Sequence, residues 1–181
     1  MKPLFLIGYM ASGKTTFGRA LAKTLGVNFI DLDDYIKESE KATIPEIFSR
    51  IGEDGFRRLE YAAMRHVGDL EDVVVACGGG TACFFDNMEY MNTKGISVWL
   101  NASEDVLADR LEEDNSSRPL MKGKQREEIK ETISRQLAVR KPYYEKCSII
   151  FNSDRLENEK EIEESVRLFL AENKFNFDTI K

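Results

Sequence analysis

The 181-residue chain has one histidine, His66, and only three cysteines, Cys77, Cys83 and Cys147, at no spacing that metal sites use. An ordinary zinc site needs four such ligands in a recognisable pattern, so that chemistry is excluded, and the odd count reads as reduced, structural thiols. No apolar run approaches the ~20 residues that span a bilayer, and the opening Met1–Met10 stretch is too short and too soon polar for a signal peptide. The expected location is the cytoplasm, with no membrane partner. Positive charge is not in excess either: a net charge of −6 argues against a nucleic-acid partner, because phosphate contacts need a basic surface. The Asn-Lys-x-Asp motif by which regulatory GTPases read their base is also missing. Its nearest match, Asn173-Lys174-Phe175-Asn176, lacks the Asp and follows a helical pattern.

What is present describes one globular domain over residues 1–181, with 42% apolar and 32% charged residues. Its organising stretch is Gly8-Tyr9-Met10-Ala11-Ser12-Gly13-Lys14-Thr15, a P-loop pattern that follows the apolar run Leu4–Ile7 and precedes an amphipathic helix. Glycines let the backbone wrap a polyphosphate, and N–H groups at the helix start point inward at it. Lys14 is placed to reach the β/γ-phosphates and the Thr15 hydroxyl to ligate Mg²⁺. A helical stripe of Phe17, Ala20, Leu21, Thr24 and Leu25 follows, ended by Gly26.

Further short runs rich in β-formers, at residues 28–32, 73–77, 96–100 and 148–151, alternate with helical patterns. That alternation predicts a parallel sheet covered on both faces, an α/β P-loop fold. A long helical insertion, read as Asp33 to about Glu40, Ile44–Arg50 and Glu53 to about Leu70 with Phe56, Leu59, Ala63, Val67 and Leu70 facing inward, is where a second substrate would bind. Because side chains alternate along a strand, Asp31 and Asp33, at the end of the second strand, share one face at the carboxyl edge of the sheet, which suits one to Mg²⁺ and the other to an acceptor hydroxyl. Asp33 or Asp34 would serve equally well as a helix N-cap. Arg57 and Glu60 adjoin at i,i+3, either to present a guanidinium to a carboxylate or as a plain surface ion pair. Gly78-Gly79-Gly80, after the third strand, lets a ligand approach the main chain.

Residues 118–146 gather nine Lys/Arg against four Asp/Glu in an acidic protein; a charged helix face explains most of these residues but not their concentration in one segment, which points to a functional role. The polar stretch at about 112–124 reads as a lid whose Arg118 would close over the transferring phosphoryl group. Pro142 marks the end of the helix that carries Arg140.

The ordered set of motifs resembles the shikimate kinase family over nearly the whole chain: the P-loop with Thr16-Phe17-Gly18-Arg19, Phe29-x-Asp31-x-Asp33, Ile47-Phe48, Gly52-Glu53-x-x-Phe56-Arg57-x-x-Glu60, Gly78–Gly80, Arg118-Pro119-Leu120 and Arg140-x-Pro142-x-Tyr144. The resemblance implies a five-stranded parallel sheet of order 2-3-1-4-5 in a three-layer kinase fold. It also implies γ-phosphoryl transfer from ATP to the 3-hydroxyl of shikimate, with Mg²⁺ as cofactor. The sequence shows no appended domain, so a monomer is expected. On that resemblance Lys14, Asp33 and Arg118 are catalytic, and Thr15 and Asp31 hold the metal. Residues 11–16 (Ala11, Ser12, Gly13, Lys14, Thr15, Thr16), Arg110, Arg118 and Arg155 bind ATP. Asp33, Phe48, Phe56, Arg57, Glu60, Gly78, Gly79, Gly80 and Arg140 surround shikimate. The family commonly has Gly where Ala11 stands, and Ala tolerates positive φ poorly, so the local loop conformation or nucleotide affinity is expected to differ, with activity retained.

Overall fold

A computed structural model describes residues 1–113 and 125–173. Strands β1 (Leu4–Ile7), β2 (Asn28–Asp31), β3 (Val73–Ala76), β4 (Ile96–Asn101) and β5 (Ile149–Asn152) form one parallel sheet of order β2-β3-β1-β4-β5. Every residue of β1 and β3 is buried, as a strand must be when helices cover both faces. Alternation along β1 divides the core. Leu4 and Leu6 join one apolar cluster, and Phe5 and Ile7 the other.

On the first face lie α1 (Lys14–Leu25) and α7 (Glu159–Glu172), where Phe17, Phe151 and Phe169 pack ring against ring at 5.3–5.5 Å. The buried side of α1 is Phe17, Gly18, Leu21 and Ala22, so the expected stripe is turned toward the sheet and Thr24 is exposed. The second face carries α2 (Leu32–Glu40), α3 (Ile44–Gly68) and α4 (Asn87–Lys94). A Thr43–Glu46 capping box starts α3, and Gly52, at φ 69°, breaks it where the sequence places a gap between two helices. Leu70, expected to face inward, lies beyond α3 and is exposed.

Helices α5 (Glu104–Glu113) and α6 (Arg126–Tyr144) pack against each other beside the phosphate loop, with Leu107, Leu111, Ile129 and Ile133 clustered with Tyr9. Here two expectations are corrected. Pro142 does not end α6; the helix runs two residues further, because Tyr144 is fully buried against Trp99 and anchors the last turn. The cationic surplus is not gathered for a ligand alone. Arg126 pairs with Asp109 and Glu112, and Lys130 with Asp105, so much of it answers the acidic surface of α5. Among the described residues no helix is long and apolar enough to cross a membrane.

Candidate active site

A cleft of about 510 Å³ opens at the carboxyl ends of β1, β2 and β3, the edge where open parallel sheets present ligands. The phosphate loop forms its floor. Between Ile7 and Lys14 the backbone takes positive φ at Gly8 (141°), Ala11 (62°) and Gly13 (90°). Ala11 therefore sits in the left-handed region where a Cβ is disfavoured, as its departure from glycine implies. Lys14 Nζ donates to the carbonyls of Gly8 (3.0 Å) and Tyr9 (2.7 Å). Ser12 is buried inside the loop, and Thr16 lines the cleft.

Thr15 donates its hydroxyl to Asp31 Oδ2 at 2.8 Å, so the two expected metal ligands are in contact. Asp31 Oδ1 accepts the N–H groups of Asp33 (3.1 Å) and Asp34 (3.4 Å), which makes Asp31 the N-cap of α2. The strand has ended before Asp33, whose place in the first helical turn comes from this cap and not from strand alternation. Asp31 and Asp33 still both line the cleft. Burial, and then the carboxylates of Asp31 and Glu60, push the Asp33 carboxyl from 3.8 up to about 6, against the opposing pull of Lys14 and Lys37.

On its other side the cleft lining reaches Gly78 and Gly79, and Asp33, Arg57, Glu60 and Arg140 stand against the same glycine turn. A Cβ on Gly78 would lie 2.8 Å from Glu60 Oε1 and 3.1 Å from Asp33 Oδ1; one on Gly79, 3.3 Å from Arg140 Nη1; one on Gly80, 2.8 Å from Arg57 Nη1. Four charged side chains close on these three bare residues, so a Cβ on Gly78 or Gly80 would displace Glu60 or Arg57, and one on Gly79 would crowd Arg140. Arg57 Nη1 donates to the buried Glu60 at 2.8 Å and Nη2 to Glu53 at 3.2 Å, with the guanidinium 4.1 Å above the Phe84 ring and 5.4 Å from Phe56. Its Nε is buried and has no hydrogen-bond partner among the described residues. Phe48 and Phe56 stack at 4.4 Å. From the opposite side Arg140 donates to the Gly79 carbonyl at 3.3 Å and lies 5.4 Å from the Tyr9 ring.

Arg110 reaches across from α5, donating to the carbonyls of Ala11 (3.2 Å), Ser153 and Asp154 (3.1 Å each) and to Glu157 (2.8 Å). Arg155 is not brought to the cleft: it points outward onto Glu164, and its neighbours Leu156 and Glu157 do the lining. Arg118, with most of the expected lid at 112–124, lies outside the described residues.

Sequence reasoning missed several groups. Tyr9 donates its hydroxyl to Gln136 at 2.9 Å beneath Arg140, Tyr144 donates to the same Gly79 carbonyl as Arg140, and Phe84 floors Arg57. Tyr144 stood in a recognised motif without a role. The Phe84 contact crosses 27 residues and leaves no local pattern.

A sheet of this order whose first strand feeds a phosphate loop is the architecture of P-loop kinases, and here a cluster of charged side chains on a glycine turn adjoins that loop. The chain is thus a P-loop phosphotransferase. The family model described as shikimate kinase matches residues 10–171. A shikimate kinase of Phocaeicola vulgatus is 47% identical over 166 residues, 92% of this chain and 95% of that protein. The crystal structure of shikimate kinase from Bacteroides thetaiotaomicron superposes with TM-score 0.93 at 44% identity, covering 96% and 99% of the two chains. The Acinetobacter baumannii enzyme in complex with shikimate does so with TM-score 0.83 at 30% identity, covering 97% and 96%. This chain belongs to the shikimate kinase family.

Proposed function

We propose that the protein transfers the γ-phosphoryl of ATP to the 3-hydroxyl of shikimate, as a single-domain monomer whose acceptor region is about residues 33–70 and whose lid is about 112–124. The observation that carries this reading is the convergence of Asp33, Glu60, Arg57 and Arg140 on one glycine turn beside the phosphate loop. A hydroxylated carboxylic acid matches that donor set.

In this mechanism the loop N–H groups and Lys14 hold the polyphosphate, while Arg57 and Arg140 grip the acceptor carboxylate from two sides, fixing orientation as well as affinity. The unpartnered Arg57 Nε supports that role. Phe48 and Phe56 offer an apolar wall to the ring. Asp33 accepts the proton of the attacking hydroxyl as the new O–P bond forms; the bond from γ-phosphorus to the bridging oxygen breaks, and ADP leaves. Hard oxygen donors in contact, Thr15 and Asp31, fit Mg²⁺, which takes one or two protein oxygens alongside phosphate and water. When bound, the ion would neutralise charge on the β- and γ-phosphates. Arg118 would add positive charge as the lid closes, and Arg110 would border the base of the nucleotide.

The test is ADP release from the purified protein with MgATP and shikimate, gluconate or quinate. Strong dependence on shikimate is expected. Equal or better turnover with another acceptor would overturn the assignment.

A further inference from the structure

Glu60 is 1% exposed and divides its carboxylate between two donors: Oε2 accepts Arg57 Nη1 at 2.8 Å, and Oε1 accepts the Thr81 hydroxyl. Thr81 is itself fully buried in the 3-10 turn Thr81–Cys83 that follows the three glycines. Both sides of its main chain are held. Its N–H donates to the Gly78 carbonyl at 3.1 Å, and its carbonyl accepts Asn87 Nδ2 at 2.9 Å. Asn87 is fully buried, and its Oδ1 accepts Arg65, which lies between the rings of Tyr61 and Tyr90. A continuous buried series therefore runs from α4 through Thr81 and Glu60 to Arg57.

We propose that Thr81 is a positioning residue for the acceptor clamp: its hydroxyl fixes the Glu60 carboxylate, and through it the direction in which Arg57 presents its guanidinium. The inference rests on the reading of Arg57 as the ligand of the acceptor carboxylate. Its physical basis is the division of labour on Glu60. With both oxygens engaged the carboxylate cannot rotate, and Arg57 is left with Nε free of any partner among the described residues. Without the hydroxyl, Oε1 becomes a buried acceptor lacking its donor. The carboxylate then turns to offer both oxygens to Arg57 in a bidentate pair, drawing the guanidinium toward α3 and away from the glycine turn. The other grips on Arg57 do not oppose this: Glu53 is 61% exposed, and the Phe84 ring holds the guanidinium plane without setting its direction within that plane.

The experiment compares Thr81→Val, which keeps shape and removes the donor, with Thr81→Ser, Glu60→Gln, Arg57→Ala and the Glu60→Gln/Thr81→Val pair, each first checked for folding by thermal melting. Thr81→Val is expected to raise the shikimate KM about tenfold, the scale of one lost hydrogen bond to a charged group, with kcat and the ATP KM within about twofold. Thr81→Ser should restore most of the affinity, and the pair should be no worse than Glu60→Gln alone, since both act through one carboxylate. An unchanged shikimate KM in Thr81→Val, equal losses in both KM values and kcat, or additive effects in the pair would overturn the inference while leaving the clamp intact. An unchanged shikimate KM in Arg57→Ala would instead remove the clamp on which it rests.

Discussion

The two halves of the cleft are built in opposite ways. The proposed phosphate cradle is one contiguous stretch, residues 8–16, shaped by its own local torsions. The proposed acceptor side is assembled from side chains of α2, α3 and α6 around the glycine turn, and its shape depends on tertiary packing. The contrast teaches that the first half carries its geometry with it, whereas each residue of the second depends on a neighbour from elsewhere in the chain.

The largest effects are expected at the residues where the halves meet. Lys14→Ala and Asp33→Asn are each expected to lower kcat by about 10²–10⁴, the range for losing a positioned charge or a general base; turnover within threefold of the parent would separate that residue from the chemistry. Arg57→Ala should act on one half alone, raising the shikimate KM by about 10²-fold through loss of a charge-assisted contact. A comparable change in the ATP KM would show that the halves are not separable at this position.

Asp33 sharpens the contrast through its titration. In the unliganded protein its carboxyl should be half-protonated near pH 6, because burial and the charges of Asp31 and Glu60 disfavour ionisation. Below that pH it already holds the proton it must accept, so it serves as a base only above it. Glu60→Gln removes one of the repelling charges and should move the midpoint down, as read by carbon NMR of the side-chain carboxyl. A midpoint near 4 in the parent would refute the assigned environment. The smallest effect is expected at Ala11→Gly. Release from φ 62° gains about 1 kcal/mol, offset by the greater freedom of glycine in the unfolded chain, so the melting temperature should change by only a few degrees. A large loss of stability would show that Ala11 is not strained.

This difference in construction also governs what could be read from sequence. The phosphate loop was legible because spacing alone defines it, and the alternation of strands and helices gave the sheet and its order through family resemblance. Asp31 and Asp33 were legible as a pair for a reason that did not hold: the strand stops at Asp31, which then caps α2. Pro142 was misread because the burial of Tyr144, a tertiary effect, outweighs the local preference of proline. The charge surplus looked functional until α5 supplied acids opposite Arg126 and Lys130. Arg155 shows the same limit in reverse, since nothing in the local sequence says that it turns out toward Glu164 while Leu156 turns in.

The break in α3 at Gly52 has its own consequence. Phe48 and Phe56 are eight residues apart, which along an uninterrupted helix would separate them by about 12 Å of axis, too far for their rings to meet. Because the chain changes direction between them, the rings stack at 4.4 Å and two successive turns present a single flat surface. A helix that looked continuous in outline thus contributes a corner, and the breadth of the proposed acceptor wall is set by one residue that has no side chain.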